Sequence, residues 1–257
     1  MGALYDRMGS TYTATRREDP DIAHQIHDAL GDSRTVLNVG AGAGAYEPAD
    51  RTVVAVEPSL VMIAQRPPRA APAVVAGAER LPFVDGSFDA AMAVATVHHW
   101  HDSAAGLAEM RRVARKVVLV VCGDASVING LWLTAEYFPG MASGCARADI
   151  QPRAIAQRLG GRTEVRPLRV PVDCVDGFPE AFIARPEAYL DPAVRSNIST
   201  FRLLPQDQVA AGVDRLRHDL ASGAWDARHG GVRRQTHIDV GLRIVISMEW
   251  AQQGSNL

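Results

Sequence analysis

The chain has 257 residues, 47% of them apolar and 22% charged, with a formal net charge of −2. That is enough apolar material for a complete core, and no long block of one charge sign exists, which excludes a nucleic-acid or anionic-membrane surface and leaves a small molecule as the expected partner. No run reaches membrane-spanning length, MGALYDRMGSTY shows no leader pattern, and Cys122, Cys145 and Cys174 lack metal or disulfide spacing, so a cytoplasmic chain with no metal site is expected, as monomer or homodimer.

The first predicted element is a helix in which Asp19 caps, Pro20 takes the first position, Ile22, Ile26 and Leu30 share a face, and Gly31 ends the run. Five continuous apolar segments follow, at 35–39, 52–56, 73–76, 88–94 and 116–121, as parallel strands buried on both faces require. Before the fifth, Asp102 or Ser103 starts a helix that buries Leu107, Met110 and Val113. The alternation predicts an α/β domain. Beyond it, 129–140 and 173–235 are rich in aromatics and prolines without that alternation and are expected to form a cap, with Val209, Val213, Leu216 and Leu220 on one helix face. In DCVDGF, Asp173, Asp176 and Gly177 read as a solvated, turn-capping segment. Strand-like runs at 164–172 and 237–247 would add an antiparallel edge to the sheet.

The sharpest motif is VLNVGAGAGAYEP, 36–48, where a buried strand runs into Gly40, Gly42 and Gly44. Glycines there let the backbone approach a ligand closely, since no Cβ intrudes and positive φ costs little. Glu57 ends the next strand, where its carboxylate can accept from both hydroxyls of a ribose. Gly40, Gly42 and Ala45 with Glu57 also satisfy a dinucleotide fingerprint, which would make the chain an NAD-dependent oxidoreductase. That reading needs a full helix after the glycines to face a pyrophosphate, and Pro48 argues against one.

Together with GAERLPFVDGSFDAAMAVATVHHW, 77–100, these residues resemble the class I S-adenosylmethionine-dependent methyltransferases of the ubiquinone/menaquinone-biosynthesis type, over roughly Tyr5 to Val121. The resemblance implies a Rossmann-like, mostly parallel sheet of seven strands with an antiparallel edge and a helical cap, S-adenosylmethionine as cofactor and S-adenosylhomocysteine as product. It implies methyl transfer to an oxygen, nitrogen or carbon of a small molecule, in keeping with secondary metabolism. A protein that keeps this fold without transferring methyl groups is the other reading.

By the same resemblance, Asn38, Gly40, Ala41, Gly42 and Gly44 contact the methionine portion, Glu57 and Pro58 hold the ribose, and Met62, Gly77, Ala78 and Glu79 flank the adenine. Ala95 ends the fourth strand beside them, and Tyr12 and Arg16, with Tyr5 toward the substrate, fold over as an N-terminal lid. Two departures remove a charge: many relatives carry an acid where Asn38 stands and an aspartate where Gly77 stands. His98 or His99 is the expected general base, only one facing the pocket if both lie on an extended strand. Trp100, Trp132, Tyr137, Phe138 and Phe178 are expected to line the substrate pocket. The single domain, 1–257, then divides into a lid (1–34), a cofactor core (35–124), cap insertions (125–160 and 173–236) and edge strands (161–172 and 237–250).

Overall fold

The computed structural model describes residues 17–248. Helix α1, Pro20–Ala29, begins where Asp19 Oδ1 accepts from the backbone N–H groups of Asp21 and Ile22 at 3.0 and 3.3 Å, and Gly31 leaves it with φ of 57°. Strands β1 (Thr35–Val39), β2 (Thr52–Val56), β3 (Ala73–Val74), β4 (Phe88–Val94), β5 (Ala114–Gly123), β6 (Arg162–Pro171) and β7 (His237–Met248) form one sheet in the order β3-β2-β1-β4-β5-β7-β6. The first five are mutually parallel; β7 runs antiparallel between β5 and β6, pairing Val245 with Val120 on one side and with Val165 on the other. This is the parallel sheet with an antiparallel edge that the residue pattern predicts, and the Rossmann-like seven-stranded sheet that the resemblance implies. Strand β3 stops after two residues, short of the predicted 73–76, since only Ala55 and Val56 of the edge are there to pair with it and Val75 turns outward.

Successive strand residues point to opposite faces, and both faces are covered. On one, Val36, Met92, Leu119 and Val121 pack with Ile22, Ile26 and Leu30 of α1 and with the cap residues Trp132, Tyr137 and Trp225. On the other, Leu37, Val39, Ala91, Val118 and Val120 meet Leu107, Met110 and Val113 of α3 (Ser103–Val113; α2 is Leu60–Ala64). Asp102 Oδ1 caps α3 by accepting from Ala105 N–H at 3.0 Å.

The cap carries α4 (Ala125–Gly130), then, after α5 (Pro152–Leu159), α6 (Pro192–Asn197), α7 (Ser199–Leu203), α8 (Gln206–Ala221) and α9 (Ala224–His229). One part of the expected cap does not belong to it. Ile155, Ala156 and Leu159 of α5 sit in the second sheet-face core, so the 125–160 insertion ends in a layer helix, built by Pro152 at its start and an apolar stripe facing β5 and β7. The order of strands reverses between β1 and β4, which opens a crevice at their carboxyl ends, the usual ligand position in open α/β sheets.

Candidate functional site

At that crevice β1 runs into Gly40, whose φ is 70° and where any Cβ would stand 2.2 Å from Thr96 Oγ1. Only glycine lets this turn pass beneath the end of β4. The N–H groups of Gly40 and Ala41 both donate to Val56 O, at 2.8 and 3.0 Å, closing the loop onto β2. Glu57, 7% exposed, accepts Gly42 N–H on Oε2 at 2.8 Å and Ser59 N–H on Oε1 at 2.9 Å. Each carboxylate oxygen therefore carries one backbone donor and keeps a further lone pair for another.

A second network grips the loop from the far side. Arg66 donates from Nη1 to Gly42 O (3.1 Å) and from Nη2 to Glu47 Oε1 (2.7 Å) and Ala71 O (2.8 Å). Glu47 also accepts Asn38 Nδ2 at 3.1 Å and Ala71 N–H at 2.9 Å. Turns, with no helix, run from Gly42 through Tyr46, which itself has φ of 63°. Pro48 and the short return to β2 leave no room for the helix that a pyrophosphate site uses.

Along the floor, Met62 and Ala78 are buried, Pro58 is exposed, and Ala95 takes φ of 51° as the chain leaves β4. Glu79 Oε1 accepts the N–H groups of His101 and Asp102, at 3.0 and 3.4 Å, so it holds the turn before α3. A Cβ at Gly77 would meet only Glu79 Oε2, the far end of a flexible side chain, and nothing in the backbone there requires glycine.

The histidines depart from expectation. β4 stops at Val94, and Val97–His99 forms a tight helical turn, so the rings of His98 and His99 do not alternate but lie together, centroids 3.7 Å apart. Burial, then the Arg147 charge, lowers the His98 pKa to about 4; burial, then His98 itself, lowers His99 to about 3. Both imidazoles are neutral at physiological pH and weak as proton acceptors.

The predicted substrate aromatics are mostly core. Trp100 is 6% exposed and packs on α3, where a Cβ at Gly106 would lie 2.5 Å from its ring. Trp132 donates to Ile183 O and meets Tyr137, Tyr189 and Trp225 edge-on. Tyr137 donates to Asp219 Oδ2 at 2.7 Å, Phe138 packs on Phe201, and Phe178 is half-buried against the same cluster. These cap side chains pack with Ile183, Ile198, Val209, Val213 and Leu216 to form the core of the cap. Tyr5, Tyr12 and Arg16 lie outside the described residues.

Three features escaped the sequence reading. Asp176 is not solvated: it is 2% exposed and accepts Tyr46 Oη–H at 2.7 Å and Gly177 N–H at 2.7 Å, tying the glycine loop to the cap. With Arg17, Phe182 and Asn197 it lines a cavity of about 300 Å³. Glu180 lies in the cap turn Pro179–Phe182, where burial raises its carboxyl pKa to about 7. Its field reaches Cys145, which borders Gly123 at the end of β5. The third is Glu47 with Arg66. A lone Glu or Arg in a loop has no periodicity to mark it, so none of these had a signal beyond residue type.

A family model of the methyltransferase domain matches residues 37–122. A solved structure from Anabaena variabilis, assigned as a methyltransferase of an antibiotic biosynthesis pathway, is 30% identical, covers 91% of this chain and 99% of its own, and superposes with a TM-score of 0.81. The chain belongs to the class I S-adenosylmethionine-dependent methyltransferases. Demethylmenaquinone methyltransferases of Mycolicibacterium vanbaalenii and Mycolicibacterium gilvum are 40% identical over 110 residues and 36% identical over 135 residues. Those matches take in 40% and 44% of this chain and 46% and 59% of theirs, so the chain spans about half the length of the curated relatives it matches.

For a class I methyltransferase the residues at the crevice suit the cofactor. Glu57 offers two lone pairs for vicinal hydroxyls, and Asn38 Oδ1 accepts no hydrogen bond from any described residue although the side chain is 2% exposed. Among the described residues there is no cluster of metal-ligating side chains, and no helix is long and apolar enough to cross a membrane.

Proposed function

We propose that this methyltransferase moves the methyl group of S-adenosylmethionine to an oxygen, nitrogen or carbon of a small biosynthetic molecule, working in the cytoplasm as a monomer or homodimer. One observation carries the reading: Glu57 is held by two backbone N–H groups at the carboxyl end of β2, opposite a glycine loop that no helix follows. An adenosine with a sulfonium suits that arrangement, whereas a diphosphate would lack its helix terminus. The acceptor class is supported by the chain's likeness to an antibiotic-pathway protein and to demethylmenaquinone methyltransferases.

The bound sulfonium supplies an already activated methyl group, so the protein's own work is alignment and exclusion of water. The segments 125–151 and 173–236 roof the acceptor, whereas helix α1, expected as part of a lid over 1–34, is instead packed into the core on one sheet face through Ile22, Ile26 and Leu30. Neutral His98 and His99 border the end of β4 and orient an acceptor by hydrogen bonding more than by taking its proton. Glu180 titrates near neutrality and is the better proton acceptor of the three.

Incubation with methyl-labelled S-adenosylmethionine and a panel of phenolic, quinol and amine acceptors tests this. Label appearing in one acceptor with an equal amount of S-adenosylhomocysteine is expected, and Glu57→Ala should abolish it by weakening cofactor binding. Purified protein that ignores both S-adenosyl compounds and takes up NAD would overturn the reading.

A further inference from the structure

Asn38 stands where many chains of this type carry an acid, yet the acid is not missing from the site. Glu47, nine positions later in the sequence, presses its Oε1 against Asn38 Nδ2 at 3.1 Å. Because a carboxylate only accepts, the amide must offer its nitrogen to Glu47 and turn Oδ1 the other way. That Oδ1 takes no donor among the described residues, in a side chain 2% exposed at the carboxyl end of β1. Glu47 itself is buried and paired: its partner Arg66 is 2.7 Å away, and the side chains are 8% and 6% exposed. Arg66 in turn holds Gly42 O at 3.1 Å while Glu57 holds Gly42 N–H at 2.8 Å, so Gly42 is fixed at both its N–H and its carbonyl. A buried pair of this kind is a poor source of net stability, but it sets orientations that a solvated loop would not keep.

We infer that Glu47 is a positioning residue for the cofactor, replacing the acid absent from position 38: it locks the Asn38 amide with Oδ1 as an acceptor for the amino-acid end of the cofactor, and through Arg66 it fixes the Gly42 carbonyl. The inference rests on the cofactor reading above. It also assigns Asn38 a neutral acceptor role in place of a charged one. A carboxylate at 38 would face Glu47 across about the same 3.1 Å and repel it.

The test is calorimetric binding of two ligands, S-adenosylhomocysteine and methylthioadenosine, which lacks the amino-acid chain. Wild type binds both; if it bound neither, the cofactor reading would fail and not this step alone. Glu47→Gln is expected to lower the thermal midpoint, because Arg66 loses its buried carboxylate, and, below the unfolding transition, to weaken S-adenosylhomocysteine about tenfold, as loss of one charge-assisted bond predicts, while leaving methylthioadenosine binding unchanged. Asn38→Asp is expected to weaken S-adenosylhomocysteine as well, and Asn38→Asp with Glu47→Gln to recover part of the loss, since the amide introduced at position 47 then donates to the new carboxylate. Tighter binding by Asn38→Asp alone, or equal loss of both ligands in Glu47→Gln, overturns the assignment. Should Glu47→Gln fail to fold, the Asn38→Asp result decides.

Discussion

The carboxyl end of the sheet and the cap are held together in different proportions by hydrogen bonds to backbone and by ring packing. At the strand ends, side chains grip backbone: Glu57 takes two N–H groups, Arg66 two carbonyls, and Glu47 one N–H and an amide. In the cap, ring packing is added to such bonds: Trp132 and Tyr189 donate to the Ile183 and Pro179 carbonyls, and Trp132 sits at the centre of the rings of Trp225, Tyr137 and Tyr189 at 5.2, 5.7 and 5.8 Å. Hydrogen bonds to backbone dictate position to within tenths of an ångström, so that end suits a fixed cofactor. Edge-to-face aromatic packing dictates volume and leaves the surrounding loops free to differ. Among the described residues, straps between the two regions include the Tyr46 hydroxyl on Asp176 and Arg147 on Trp100 O.

The comparison breaks most visibly at Gly40. A Cβ there meets Thr96 Oγ1 at 2.2 Å with φ of 70°. Strain and overlap of about 3 kcal/mol in Gly40→Ala correspond to roughly a hundredfold weaker binding of S-adenosylhomocysteine. Calorimetry on the folded variant checks it, and near-wild-type affinity would mean that the loop moves on binding and is not preset.

What the residues disclosed follows the same division. Strand β1, β2 and β4 bounds, both α1 ends and the cap on α3 were legible because period, capping residues and glycines are local codes, each with its own spacing. The glycine loop and Glu57 were legible for the same reason. His98 and His99 were misread as strand residues, since nothing local marks Ala95 as a residue of positive φ that ends β4. Trp132, Tyr137 and Phe138 looked like pocket walls because an aromatic in an irregular segment carries no sign of which side it faces. Asp176 and Glu180 are defined by what surrounds them, namely Tyr46 from 130 positions away and a burial that only the folded cap creates.

The next test sharpens the division. Trp132→Ala empties the centre of the cap's ring cluster and should cost about 3–5 kcal/mol of stability, the range for large aromatic truncations, measured by urea unfolding. Its affinity for S-adenosylhomocysteine, measured below the unfolding transition, should equal wild type. Affinity falling in step with stability would show that the cap and the cofactor loop are one cooperative unit.

The smallest effect concerns Glu180 and has a sign that can be worked out. Burial raises its carboxyl pKa in the folded chain from 4.5 to about 7. The folded state therefore holds this proton where the unfolded state has released it, so its contribution is full at pH below 4.5 and is lost as pH rises through 7. Glu180→Gln, neutral throughout, should match wild type in thermal midpoint at low pH and exceed it above neutrality. If the ionised carboxylate also takes a proton from the acceptor, methyl transfer by wild type should climb with pH across the same interval, and the Gln variant should be slow and flat. A stability crossover without the change in rate profile would leave Glu180 as a buried acid of the cap and return the proton to the acceptor's own chemistry.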